Sequence, residues 1–204
     1  MDGLDIILDG LKEFMNELFD GVEEKGEIYR SIAEHLGVTD VSAIVEAVLE
    51  AGVDERAPYP IIHFHTTIAS NIPDEYGDAL GVSLNVLNNV ISVGAFPSFG
   101  CFCYYPRLKQ IYLTYRMPVN PEDPDNTLVN IQYYLGVLYD ELDAFADYIM
   151  FLCDNKGVSP GIEEYIAYLK DIADWNDIEK RAEALSEYIK NSGINIDPGD
   201  DNEE

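Results

Sequence analysis

Basic residues are scarce in this chain: 12 lysines and arginines stand against 39 aspartates and glutamates, for a formal charge of −27. A surface of that sign repels nucleic acid and anionic lipid, so direct binding to either is disfavoured at ordinary salt. Cysteine is sparse too. Three residues, two of them at Cys101 and Cys103 within one predicted strand, make an odd set that argues against a disulfide framework and for a reducing compartment. No apolar run approaches the ~20 residues needed to span a bilayer. The opening MDGLDIILDG lacks the basic segment and the unbroken apolar stretch of a secretory signal. The expectation is a soluble, cytoplasmic protein with no membrane and no nucleic-acid partner. The phosphate-cradling patterns GxGxxG and GxxxxGKS/T and the nucleophile pattern GxSxG are missing as well. No catalytic residue, cofactor or enzymatic activity is therefore expected.

What is present can build a core, because 47% of the residues are hydrophobic and 11% aromatic. The charge is unevenly spread. Residues 1–57 carry 15 acids and 4 bases, residues 58–125 carry 6 and 3, and residues 126–204 carry 18 and 5. A nearly neutral, aromatic middle is thus flanked by acidic ends. Acidic flanks of this kind serve solubility first and favour a basic partner second.

The middle holds the strongest patterns. Tyr76 to Val93 has a helical period, with Leu80, Leu84, Leu87 and Ile91 on one stripe and Val82, Val86 and Val90 on a second. Ala95–Tyr105 and Lys109–Met117 then alternate as two strands joined across Pro106, Arg107 and Leu108. Ahead of them, Ile61 to Ala69 alternates as a strand, with Ile62, Phe64, Thr66 and Ile68 on one face and Ile61, His63, His65 and Thr67 on the other. His63 and His65 have the spacing of a metal-ligand pair, and Cys101 and Cys103 have the same spacing in thiols. With no third ligand apparent, sheet-surface histidines and packed thiols are the simpler expectation, and a metal- or thiol-dependent enzyme is the alternative. Arg116 is one of three basic residues in the middle segment and the natural anchor for an acidic group.

The flanks read as helical. Leu4 to Phe19 is amphipathic, with Leu4, Ile7, Leu11, Met15, Leu18 and Phe19 sharing a face. Glu27–Leu36 and Val41–Gly52, joined by Gly37-Val38-Thr39-Asp40, look like a helix-turn-helix. Its second helix offers Asp40, Ser42, Glu46 and Glu50 where DNA phosphate would need Lys or Arg, so a plain helical hairpin is expected. After the turn Pro118–Asp125, a helix to about Cys153 carries an unbroken apolar seam from Leu128 through Leu152. Ser159 and Pro160 open a further helix to about Asp171, and a last one covers about Asp177 to Asn191.

The order helix, strand, helix, two-stranded hairpin, long helix over Val41–Cys153, with Leu84-Asn85-x-x-Asn88 late in the middle helix, resembles the YbjN family of bacterial sensory transduction regulators. That family shares its fold with type III secretion chaperones. It shows further strand pairing before its middle helix, where this sequence shows one clear strand. The resemblance implies an α+β fold, a small antiparallel sheet packed by helices, frequent homodimerisation, and binding of protein segments rather than catalysis. The expected organisation is an N-terminal helical extension over residues 1–40, the α+β core over 41–153, a C-terminal helical extension over 154–192 and a disordered acidic tail over 193–204. The expected function is a non-enzymatic, chaperone-like adaptor. Its candidate partner-binding surface comprises Tyr104, Gln110, Tyr112, Thr114, Arg116, His63 and His65.

Overall fold

A computed structural model describes residues 2–50, 59–93 and 98–159, together with 164, 165, 167 and 168. The chain is α+β. It runs α1 (Gly3–Leu18), β1 (Asp20–Lys25), β2 (Ile28–Leu36), β3 (Val41–Glu50), β4 (Ile61–Ala69), a short 3-10 turn, α2 (Gly77–Val93), β5 (Cys101–Tyr105), β6 (Gln110–Pro118) and α3 (Pro124–Asp154). All strand pairs are antiparallel, in the spatial order β1-β2-β3-β4-β6-β5. The three helices bury their apolar stripes on one side of this sheet.

Residues 27–52 correct the helix-turn-helix expectation: the two segments read as helices are the strands β2 and β3, paired to each other. On β2 the buried residues are Tyr29, Ser31 and Ala33, alternating with exposed Arg30, Ile32 and Glu34, and Leu36 beyond a register shift; on β3 they are Ala43, Val45 and Ala47. That is a period of two, whose inward side is made mostly of small residues. No recognition helix exists there. Nor is the segment 1–40 an appended helical extension, because β1 and β2 are strands of the sheet and α1 packs into its core. Four strands, not one, precede α2.

The β2–β3 turn is held from outside by α3. Asp147 accepts hydrogen bonds from the backbone N–H groups of Val38 (2.7 Å) and Thr39 (2.9 Å) and from the Thr39 hydroxyl (2.6 Å). Asp143 accepts from the Gly37 N–H at 2.9 Å. Gly37 has φ +67°, and a Cβ there would run into the Asp147 carboxylate, so glycine is required twice over.

The helices behave as their sequence patterns predict. α1 starts with a capping box, in which the Asp2 carboxylate accepts from the Asp5 N–H and the Asp5 carboxylate accepts from the Asp2 N–H. Its Ile7, Leu11 and Met15 are buried, and Gly10 lets it approach Leu128 of α3. α3 is capped by Asp123 with Pro124 at its first position, so it starts inside the stretch Pro118–Asp125 expected as a turn. Its seam residues Ile131, Leu135, Leu138, Leu142, Ile149 and Leu152 are buried in the chain's own core. The leucine stripe of α2 is buried likewise, whereas Val82 and Val86 of its second stripe are exposed. Strand β5 is shorter than expected, beginning at Cys101, with 94–97 outside the described residues. So are the helix expected over Asp177–Asn191, the acidic tail and most of the helix after Pro160.

The outer edge of β5 is closed by one side chain. Asn88 of α2 accepts from the Phe102 N–H and donates to the Phe102 carbonyl, both at 2.8 Å, reproducing the pairing of a missing neighbour strand. Asn88→Ala should cost about 2 kcal/mol, since it leaves both strand groups without their partner. It should also promote association through the bared edge. Chemical denaturation and light scattering at rising concentration check both; an unchanged midpoint would show that water replaces the amide without loss.

An uncovered sheet face

Because side chains alternate along a strand, the face opposite the helices carries the other half of every strand. Among the described residues no element lies over it. Registers place its residues in rows. One row reads Arg30, Glu46, His65, Thr114 and Cys101; a second reads Ile28, Val48, His63 and Arg116; a third reads Ile32, Ile44, Thr67, Tyr112 and Cys103. Ile32 and Ile44 are cross-strand neighbours, 41% and 43% exposed, which is unusual for isoleucine and marks an apolar spot on the β2–β3 half. The β4–β6 half is polar and aromatic.

Six of the seven residues expected on the candidate surface meet on this face: His63, His65, Gln110, Tyr112, Thr114 and Arg116. Tyr104 does not. Its register partner is Ile111, so it points to the helix side, where its ring packs beside Gly77. The sequence also missed Glu50, Glu46, Arg30, Ile32 and Ile44. They lay in segments read as helical, and only the β2–β3 and β3–β4 registers bring them here.

Hydrogen bonds order the polar half. His63 Nδ1 lies 3.0 Å from Glu50 Oε1, and its Nε2 lies 2.7 Å from Thr114 Oγ1. The consistent tautomer has Nδ1–H donating to the carboxylate and Nε2 accepting from the hydroxyl. That leaves the Arg116 Nη2 contact to Nδ1, at 3.5 Å, as a packing contact rather than a bond, with the guanidinium directed at Glu50 through Nε–Oε2 at 3.6 Å. His65 stacks on Tyr112 with ring centroids 4.4 Å apart, and its edge meets His63. Burial pushes the His65 pKa down, opposed by Glu46, so the ring is neutral at neutral pH. Arg30 pairs with Glu46 at 2.5 Å.

As a metal site the histidine pair is poorly prepared. Both ring nitrogens of His63 already face protein partners, and a cation would have to displace one of them. Among the described residues no cluster of three or more His, Cys, Asp and Glu side chains is arranged to hold a metal ion. The face is a shallow array of balanced charges on an otherwise strongly acidic protein.

The fold and this face define an α+β protein with an open antiparallel sheet, helices on one side and, among the described residues, no element over the other. No protein-family model, no curated protein and no solved structure matches the chain. Among the described residues no helix is long and apolar enough to cross a membrane.

Proposed function

We propose that the chain is a non-enzymatic adaptor that holds a segment of a protein partner on the uncovered sheet face. The observation that supports this reading is a sheet whose described helices lie on one side, with Ile32 and Ile44 exposed side by side on the other. An apolar side chain of the partner would seat on the two isoleucines, and the His63, Tyr112 and Arg116 half would take its polar groups. The surrounding acidic surface steers basic segments, so the partner is a segment with apolar anchors and basic flanks. The reading agrees with what the YbjN resemblance implies, and cytoplasmic residence and homodimerisation belong to it in the same way.

The test is capture from native extract at low and high salt, by the wild-type chain and by Ile44→Glu and Ile32→Glu. Both sites are surface positions, so thermal midpoints should move little. One stoichiometric protein held at high salt by the wild type, and released by either substitution, is the expected result. Capture that ignores both substitutions would remove the face from the function. If light scattering shows instead that the wild type is a dimer and that the same substitutions make it a monomer, a second copy occupies the face and the adaptor reading fails.

A further inference from the structure

The face carries one chemical pair that the adaptor reading does not use. Cys101 and Cys103 are alternate residues of β5, so both sulfurs stand on the uncovered side, and Sγ lies 3.6 Å from Sγ. Cys101 is exposed and Cys103 half-buried. Two thiolates bound to one cation at about 2.3 Å lie about 3.8 Å apart at a tetrahedral angle and about 4.0 Å apart at the trigonal angle of a three-coordinate ion. The free thiols are therefore within a few tenths of an ångström of chelating distance with the backbone as it stands.

We propose that Cys101 and Cys103 form a two-thiolate chelate for a thiophilic cation of the Cu(I) class, with the remaining coordination open to a small exogenous donor. Soft sulfur ligands select such ions, while the carboxylates that crowd the rest of the surface suit hard ones. The face also puts the site within reach of solvent, as capture of an ion requires. Binding exchanges two S–H bonds for two S–metal bonds and releases two protons to water, with no change of oxidation state. Burial and the neighbouring Cys101 push the Cys103 thiol up to about 11, so the cation competes with protons at neutral pH. The titratable groups sharing that environment are Tyr105 on β5 and Tyr112 on β6. Cys153, on α3 and apart from this pair, is an internal control.

The experiment is an anaerobic titration of the untagged full chain with Cu(I) in competition with a chromophoric Cu(I) chelator. The wild type should withdraw one ion per chain. Cys101→Ser and Cys103→Ser should each weaken binding by on the order of 100-fold, since one sulfur of a two-sulfur chelate is lost, while Cys153→Ser stays within about two-fold. Circular dichroism verifies the fold of each variant, and Cys101→Ala and Cys103→Ala repeat the measurement without a hydroxyl. Failure of the wild type to compete, or equal affinity in the Cys101 and Cys103 variants, overturns the proposal. Neither outcome bears on partner capture, which is read through Ile32 and Ile44.

Discussion

Asp147→Ala is expected to lower the thermal midpoint by about 10 °C, a loss of about 3 kcal/mol in a domain of this size. One carboxylate, 6% exposed, receives three hydrogen bonds from the turn between β2 and β3. Hydrogen bonds to a charged group contribute about 1.5–3 kcal/mol each, and removal of the acceptor leaves two backbone N–H groups to find water at a half-closed site. Asp143→Ala, which removes the single bond to Gly37, should cost less. Calorimetry on the three proteins checks the order. A drop of under about 1 kcal/mol for Asp147→Ala would show that the turn keeps its shape without α3. Gly37→Ala should resemble Asp147→Ala, because the added methyl displaces the same carboxylate.

Glu141→Gln should stabilise the protein above neutral pH and change little near pH 4. Glu141 is buried on α3, where its carboxylate accepts from the Ser98 hydroxyl at 2.7 Å. Burial raises its pKa from 4.5 to about 7, against the opposing effect of that hydrogen bond. The folded carboxyl therefore holds its proton more tightly than the unfolded chain does. Its contribution to stability is complete below about pH 4.5 and is lost as pH rises through about 7. A shift of this size corresponds to about 3 kcal/mol above pH 8, which the uncharged amide would restore while still accepting from Ser98. Urea denaturation of both proteins from pH 4 to pH 8.5 reads the difference directly. A gap that stays constant with pH would mean that Glu141 does not titrate in the folded state.

Those two carboxylates illustrate how much of the fold can be read from a sequence and why the rest cannot. α1, α2, β4, β6 and α3 were legible because each pairs large apolar residues with one clear period. β2 and β3 were not. Their inward residues are Ser31, Ala33, Ala43 and Ala47 beside Tyr29, Leu36 and Val45, while Ile32, Ile44 and Val48 point outward. With small residues inside and branched ones outside, hydrophobicity no longer alternates, and Ala, Glu and Leu supply the local preference of a helix. On β2 the small side chains fit the close approach of α1 and α3. Tertiary packing decided the matter, and a single sequence does not display it.

The candidate site was legible in the same measure. Alternation in β4 and β6 placed His63, His65, Gln110, Tyr112, Thr114 and Arg116 on one side of their strands before any register was known. The link from His63 to Glu50, and the exposed Ile32–Ile44 pair, depended on strands that had been read as helices. Tyr104 was counted with that surface. Its position next to Cys103 on β5 already placed it on the opposite side from the two thiols.

The strand order also sets how the chain must assemble. From β1 to β4 each strand pairs with its successor in sequence, and β5 pairs with β6, so these contacts close short loops. Joining β4 to β6 instead closes the segment 70–109, which contains all of α2 and β5. That closure costs about 2 kcal/mol more chain entropy than a four-residue hairpin. Within the sheet, the long closure therefore falls on one seam, between His63 on one side and Thr114 and Arg116 on the other. The polar half of the exposed face therefore comes into being only when the β1–β4 meander and the β5–β6 hairpin meet.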